Sequence, residues 1–314
     1  MFIPAMTLIL SLIVLVKSSE YSIKYSVRFS KLVGVSQMGI GFLLIGITTS
    51  LPELSIAILS GIAGEGMLSV GNLLGSNIIK MTLVFGITAI VTTIHLRGEM
   101  YREIIRAVAI TSVITLVIIL INQIDYLVGM LCLIVFALFF HDIYKKSYKI
   151  KTGTVAYSGL KTIETLKTLF YALTSIVIVI ISAKLITDSA IILSDIFNIS
   201  ETLIGASILA IGTTLPELTI SLTAIKRGNI SLAIGDIFGA TVINLTLVLG
   251  VLSMFGTVVL SGGAEMIVVF LLFSNMIFIF MSPSLKFGKI HGIILVSLFI
   301  VYLIIISYYE IFFI

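Results

Sequence analysis

Long, mostly apolar runs alternate with short polar breaks along this chain. A helix needs about 20 mostly apolar residues to cross a bilayer. Ten runs qualify, near residues 2–26, 37–62, 68–94, 104–122, 124–141, 165–187, 201–225, 230–257, 264–282 and 288–308. The pattern therefore predicts ten spanning helices, numbered here as spans 1 to 10. Span 1 carries polar residues along one face between 18 and 30. Such a face is costly against lipid, so it should look at protein or water. The run lacks a basic start and a small-x-small cleavage site, so it reads as a helix and not as a signal peptide.

Composition narrows the class. Of 314 residues, 59% are hydrophobic and 11% charged, against about 25% charged in an ordinary soluble domain. This excludes a disordered chain, a secreted disulfide scaffold and a nucleic-acid module, and leaves an all-α polytopic membrane protein. The single cysteine, Cys132, lies in an apolar run and reads as a small core residue. One cysteine and three scattered histidines exclude a zinc site.

The formal charge of +4 is modest, but its placement is informative. Arg28 and Lys31 follow span 1, and Arg97, Arg102 and Arg106 follow span 3. Lys145, Lys146, Lys149, Lys151, Lys161 and Lys167 surround the loop after span 5. Lys226 and Arg227 follow span 7, and Lys286 and Lys289 follow span 9. With ten spans all of these fall on one side, and Glu65, Asp125, Asp195, Glu201, Glu265 and Glu310 on the other. Basic loops mark the cytoplasm, so both termini are expected outside the cell membrane. A miscount of one span would scramble the asymmetry. The stretch 142–163, with Gly153, Gly159 and several lysines, reads as a solvated cytoplasmic linker between halves 1–141 and 164–314. A patch for anionic lipid is the alternative.

The two halves repeat. Residues 40–86 align with 204–250 without a gap, with identity at 18 of 47 positions. Leu51, Pro52, Glu53 and Leu54 match Leu215, Pro216, Glu217 and Leu218. Gly71, Gly75 and Gly86 match Gly235, Gly239 and Gly250. The copies begin at spans 2 and 7. Five spans is an odd number, so the second copy enters from the opposite side. The fold expected is a 5+5 inverted-topology repeat, which in transporters places the site at mid-membrane on broken helices.

Glu53 and Glu217 fall well inside their spans, each after a proline. A buried carboxylate costs several kcal/mol unless it is paired, protonated or bound to a cation. Each proline removes an N–H donor and frees carbonyls, around Thr48 and Thr49 and around Gly212 and Thr213. With the hydroxyls of Thr49, Ser50, Thr213 and Thr214 these make an all-oxygen set, suited to hard cations such as Ca2+ and Na+. Hydrogen-bonded helix kinks are the bland alternative. In span 3, Asn72, Ser76 and Lys80 share one face at i, i+4, i+8 spacing. Asp236, Ala240 and Asn244 match them in span 8. The glycines of both spans permit close helix approach. Lys80 is too deep to snorkel and should pair with Glu53, Glu217 or Asp236, either as a salt bridge between helices or as a cation within the site. Glu20 and Lys184, also related by the repeat, read as gating or interfacial residues, with snorkelling as the alternative.

The segments TTSLPE and GTTLPE, followed by GNLLGSN and GDIFGAT, resemble the two alpha repeats of the Ca2+/cation antiporter superfamily, which contains the Na+/Ca2+ exchangers. The resemblance covers essentially the whole chain. It implies that Glu53 and Glu217 are central Ca2+ ligands and that Thr49, Ser50, Thr213 and Thr214 help bind Ca2+ or Na+. It also implies a contribution from spans 3 and 8, with Ser76 matching a family serine. Thr48, Lys80, Asp236, Ala240 and Asn244 depart from the family pattern. Several of these are positions expected to hold Na+, so the departures bear on the coupling ion more than on exchange itself. The function implied is a secondary antiporter moving Ca2+ against Na+ or H+, with no cofactor. The lipid bilayer is its surroundings, and no nucleic acid or obligatory protein partner is implied. A passive cation channel and an intramembrane hydrolase are the competing classes. The chain has no HExxH or GxSxG motif, and inverted symmetry serves a carrier.

Overall fold

A computed structural model of the chain describes residues 2–32, 46–96, 98–149, 162–226, 228, 230–261 and 263–313. The helices, in order, are α1 (Phe2–Leu32), α2 (Leu51–Ala63), α3 (Gly66–Val91), α4 (Gly98–Ile121) and α5 (Tyr126–Lys149). They continue with α6 (Thr162–Phe197), α7 (Glu201–Lys226), α8 (Ile230–Ile243, extended through Asn244–Val248 to Leu249–Leu252), α9 (Ala264–Met281) and α10 (Lys289–Phe313). Eight of them are long and apolar enough to cross a membrane, and α2 and α5 contribute shorter apolar segments. The chain is an all-α polytopic membrane protein whose helices follow the ten predicted spans in order. The first part of span 2, before Gly46, lies outside the described residues. So do most of the 142–163 linker and Gly153 and Gly159 within it, although α5 itself runs on to Lys149.

Helices α1 and α6, of 31 and 36 residues, are longer than a bilayer core requires. They pack along each other, and Arg28 of α1 bonds Glu164 of α6 at 2.7 Å near one end. Serines and threonines of both helices, among them Ser18, Ser19, Ser22, Ser182 and Thr187, are buried against protein, while Lys24 and Arg28 of span 1 stay exposed.

Four two-residue strands tie the halves together. β1 (Ile94–His95) pairs antiparallel with β4 (Lys286–Phe287), and β2 (Gln123–Ile124) pairs with β3 (Val258–Val259). β1 and β2 stand at opposite ends of α4, so the two pairs lie at opposite ends of the molecule. By the repeat, β1 corresponds to β3, yet β3 sits at the other end with β2. This is what inversion of one half relative to the other produces. The β1–β4 end also carries Arg102, Arg106, Lys286 and Lys289.

Two pairs of equivalent residues touch. Asn77 Nδ2 donates to the Thr241 carbonyl at 3.2 Å, and Asn275 Nδ2 donates to Thr111 Oγ1 at 3.2 Å, both across a separation of 164 residues. A position that meets its own copy lies on the axis relating the copies.

The middle of the membrane-spanning body is irregular. Lys80–Val84 in α3 and Asn244–Val248 in α8 are π-helical, at equivalent positions, and Gly205–Leu209 in α7 is a third such turn. Such turns concentrate at functional sites. Beyond Lys80 towards the β1–β4 end, Phe85 meets Phe238, Phe278 and Phe287 at centroid distances of 5.5, 5.2 and 5.2 Å. This aromatic packing fills the core on that side of the site.

Candidate functional site

Four helices bring the polar residues together. Span 2 breaks at Ser50, between the turn Gly46–Thr49 and α2, with Pro52 in the first turn of α2 and Glu53 after it. Span 7 was expected to break in the same way and does not: Ala210–Lys226 is continuous with Pro216 inside it. The local hydrogen bonding ahead of Pro216 is specific. Thr213 and Thr214 donate to the Ala210 carbonyl at 3.4 and 2.8 Å, and Thr214 also to that of Ile211 at 3.1 Å. These back-bonds go to Ala210 and Ile211, whereas the carbonyl that Pro216 leaves without its N–H donor is that of Gly212; they accompany the continuous helix and do not replace the lost bond. Thr214 thereby directs its hydroxyl hydrogen to its own helix, and its oxygen keeps lone pairs.

Helix α3 can approach α7 because glycines face backbone. A Cβ on Gly71 would lie 2.1 Å from the Thr202 carbonyl oxygen, and one on Gly205 would lie 2.2 Å from that of Leu68.

The approach delivers the central constellation. Lys80 Nζ lies 3.2 Å from Glu53 Oε1 and 3.1 Å from Glu217 Oε1, with all three side chains fully buried. The glutamates of the two halves therefore face each other across one ammonium. Lys80 does not bond Asp236. That carboxylate accepts from Thr49 Oγ1 at 3.3 Å. The equivalent bond also exists: Thr213 Oγ1 donates to Asn72 Oδ1 at 3.2 Å. Each threonine of one half thus bonds the polar residue of the other half's facing helix.

One turn along, Asn244 Nδ2 donates to Ser76 Oγ at 3.2 Å and to Asn77 Oδ1 at 3.3 Å. Asn77 is a site residue that the sequence reading missed. It lies beside Ser76 but off the i, i+4 row, and the signal available was a polar residue matched by polar Thr241. Glu20 and Lys184 stay outside the site: they pair with Lys17 and Asp188 of their own helices at 3.1 and 3.3 Å.

The charge count is uneven. Glu53, Glu217 and Asp236 supply three buried carboxylates against the one ammonium of Lys80. Among the described residues, Glu53 Oε2, Glu217 Oε2, Asp236 Oδ2, Asn244 Oδ1 and Ser50 Oγ are buried with no hydrogen-bond partner. Buried acceptors without donors are costly and uncommon. A cluster of them, mostly anionic, suits a hard cation bound through oxygen. Among the described residues no three His, Cys, Asp or Glu side chains already stand as a metal-holding group; an ammonium lies between the two glutamates.

Comparison with known proteins agrees with this geometry. The sodium/calcium exchanger protein family matches residues 3–141 and 167–308, one stretch in each half. The chain is 26% identical to Inner membrane protein YrbG of Escherichia coli, over 80% of this chain and 79% of that protein. It is 25% identical to Sodium/calcium exchanger MaX1 of Methanosarcina acetivorans, over 96% of this chain and 97% of that protein. A solved structure of the sodium-calcium exchanger NCX_Mj, soaked with 10 mM Na+ and zero Ca2+, shares the fold with a TM-score of 0.71 and 24% identity. It covers 96% of this chain and 98% of that chain. With both halves matched and nearly the whole length aligned, the chain belongs to the sodium/calcium exchanger protein family.

Proposed function

We propose that this protein is a secondary antiporter that exchanges Ca2+ for Na+ or H+ across the cell membrane by alternating access. The observation that carries the reading is the set of unpartnered buried oxygens around Glu53 and Glu217, contributed by both inverted halves. In this reading the two glutamates are the principal ligands. Thr49, Ser50, Thr213, Ser76, Asn72, Asp236 and Asn244 complete the oxygen set, and Thr214 joins it when its helix rearranges. The halves 1–141 and 164–314 each supply one glutamate. The basic β1–β4 end and the 142–163 stretch face the cytoplasm, and both termini lie outside.

Exchange has a direct test. Purified protein in proteoliposomes should take up radiolabelled Ca2+ when an outward Na+ or H+ gradient is imposed, and the effective gradient identifies the counter-ion. Uptake at the same rate with neither gradient would make the protein a channel, and no uptake under either would reject Ca2+ as the substrate.

A further inference from the structure

Among the described residues, Lys80 is the one basic side chain that is fully buried. Its ammonium sits between one carboxylate from each half, at 3.2 and 3.1 Å. Calcium binds oxygen at about 2.3–2.6 Å, so an ion ligated by both glutamates would need the space that this nitrogen fills. The equivalent residue of the other half, Asn244, bonds Ser76 and Asn77 instead, so the positive charge is present on one side only.

A helix-to-helix strut does not account for the surroundings. A structural ion pair is favourable when its charges balance and their hydrogen-bonding capacity is met. Here one ammonium faces two glutamates with Asp236 nearby, and one oxygen each of Glu53 and Asp236 and both oxygens of Glu217 have no hydrogen-bond partner among the described residues, although Glu217 Oε1 is ion-paired with Lys80. The site retains a formal charge of about −2 with all groups ionised, enough to attract a divalent cation past the lysine.

We infer that Lys80 is a tethered cation that occupies the transport position when no ion is bound, and that an incoming cation must displace it to reach both glutamates. The inference rests on the reading of Glu53 and Glu217 as ion ligands. It gives the empty carrier a resident counter-charge, so that the two glutamates are not left facing each other unneutralised.

The test is Ca2+ binding to the purified full-length protein in detergent, by titration calorimetry, with thermal unfolding followed in parallel. Lys80→Asn removes the competitor, so Ca2+ should bind about tenfold more tightly than to wild type. Lys80→Arg keeps the charge but forks onto carboxylates through two parallel hydrogen bonds. A folded Lys80→Arg protein should therefore bind Ca2+ about tenfold more weakly. A strut predicts no such ranking: Arg restores wild-type behaviour, and Asn costs stability without tightening Ca2+ binding. Ca2+ binding at wild-type strength in folded Lys80→Arg, or no tighter binding in folded Lys80→Asn, overturns the inference. Glu53→Gln and Glu217→Gln separate the two levels. If both lose Ca2+ binding while the Lys80 variants match wild type, only the tethered cation is wrong. If both bind Ca2+ as wild type does, the assignment of the site fails and the inference with it.

Discussion

Substitution of Gly71 by alanine tests whether close backbone approach is what assembles the site. The new Cβ would lie 2.1 Å from the Thr202 carbonyl oxygen, 2.9 Å from its carbon and 3.0 Å from its Cα. All three atoms are backbone, so no rotamer change relieves the clash. Ordinary contact begins near 3.4 Å, so α3 and the start of α7 must separate by roughly 1.3 Å. Overpacking of this kind costs about 1–3 kcal/mol. The next residue, Asn72, accepts from Thr213 of α7 at 3.2 Å, already near the limit of a useful hydrogen bond. The same displacement therefore breaks that bond and moves Asn72 out of the oxygen set. Gly288→Ala is the control, because its Cβ would meet only Thr93 Oγ1, at 3.9 Å; its cost should stay within about 0.5 kcal/mol. The protein has no tryptophan and one cysteine, and Cys132 is buried. A thiol-reactive dye in detergent therefore reports unfolding through that single residue. Gly71→Ala should lower Tm by several degrees and reduce radiolabelled Ca2+ uptake, with Gly288→Ala close to wild type on both. Equal stability and equal uptake in the two variants would refute the role given to the α3–α7 approach.

Other consequences are open to simpler checks. Glu53→Gln or Glu217→Gln should reduce exchange to background in proteoliposomes while elution on size exclusion stays unchanged, since an amide keeps the shape but loses the charge. Tyr302→Phe removes a buried 2.9 Å bond to the Ala206 carbonyl in the π-helical turn of α7. It should cost about 1 kcal/mol, visible as a lower Tm. Arg106→Ala breaks pairs with Glu103 and Asp142, but the side chain is 42% exposed. The change should stay below about 1 kcal/mol and leave transport intact.

The parts of the fold that follow from local composition were legible in the sequence: ten apolar runs, an unbroken repeat and two proline-glutamate pairs. Burial of Glu53, Glu217 and Lys80 followed from their depth in those runs. What the chain did with them depended on geometry that no local pattern encodes. The π-helical turns at Lys80 and Asn244 carry no compositional mark, and Asn77, in the regular α-helix just before the first of them, lies off the i, i+4 row and reaches the cluster only because it faces Thr241 and Asn244 of the other half. The helix runs unbroken through Pro216, whereas span 2 breaks at Ser50 ahead of the matching proline, and the local sequence does not mark which of the two does so. Closely matching motifs thus took different backbones. The partner of Lys80 could be narrowed to three carboxylates from sequence. Only the packing of α2 and α7 on α3 decided for the two glutamates, and Thr49 had by then taken up Asp236.

The contacts of Asn77 with Thr241 and of Asn275 with Thr111 place those positions where each half meets its own counterpart. Had the two halves been separate, identical subunits, every residue near that axis would appear twice. A lysine at position 80 would then bring a second ammonium at its copy, and two ammoniums would neutralise the two glutamates outright. A site with one lysine and one asparagine requires two halves that differ in sequence, which one chain carrying both halves provides. The uneven charge at the centre of this exchanger is therefore available to a chain whose halves have diverged and closed to a dimer of identical subunits.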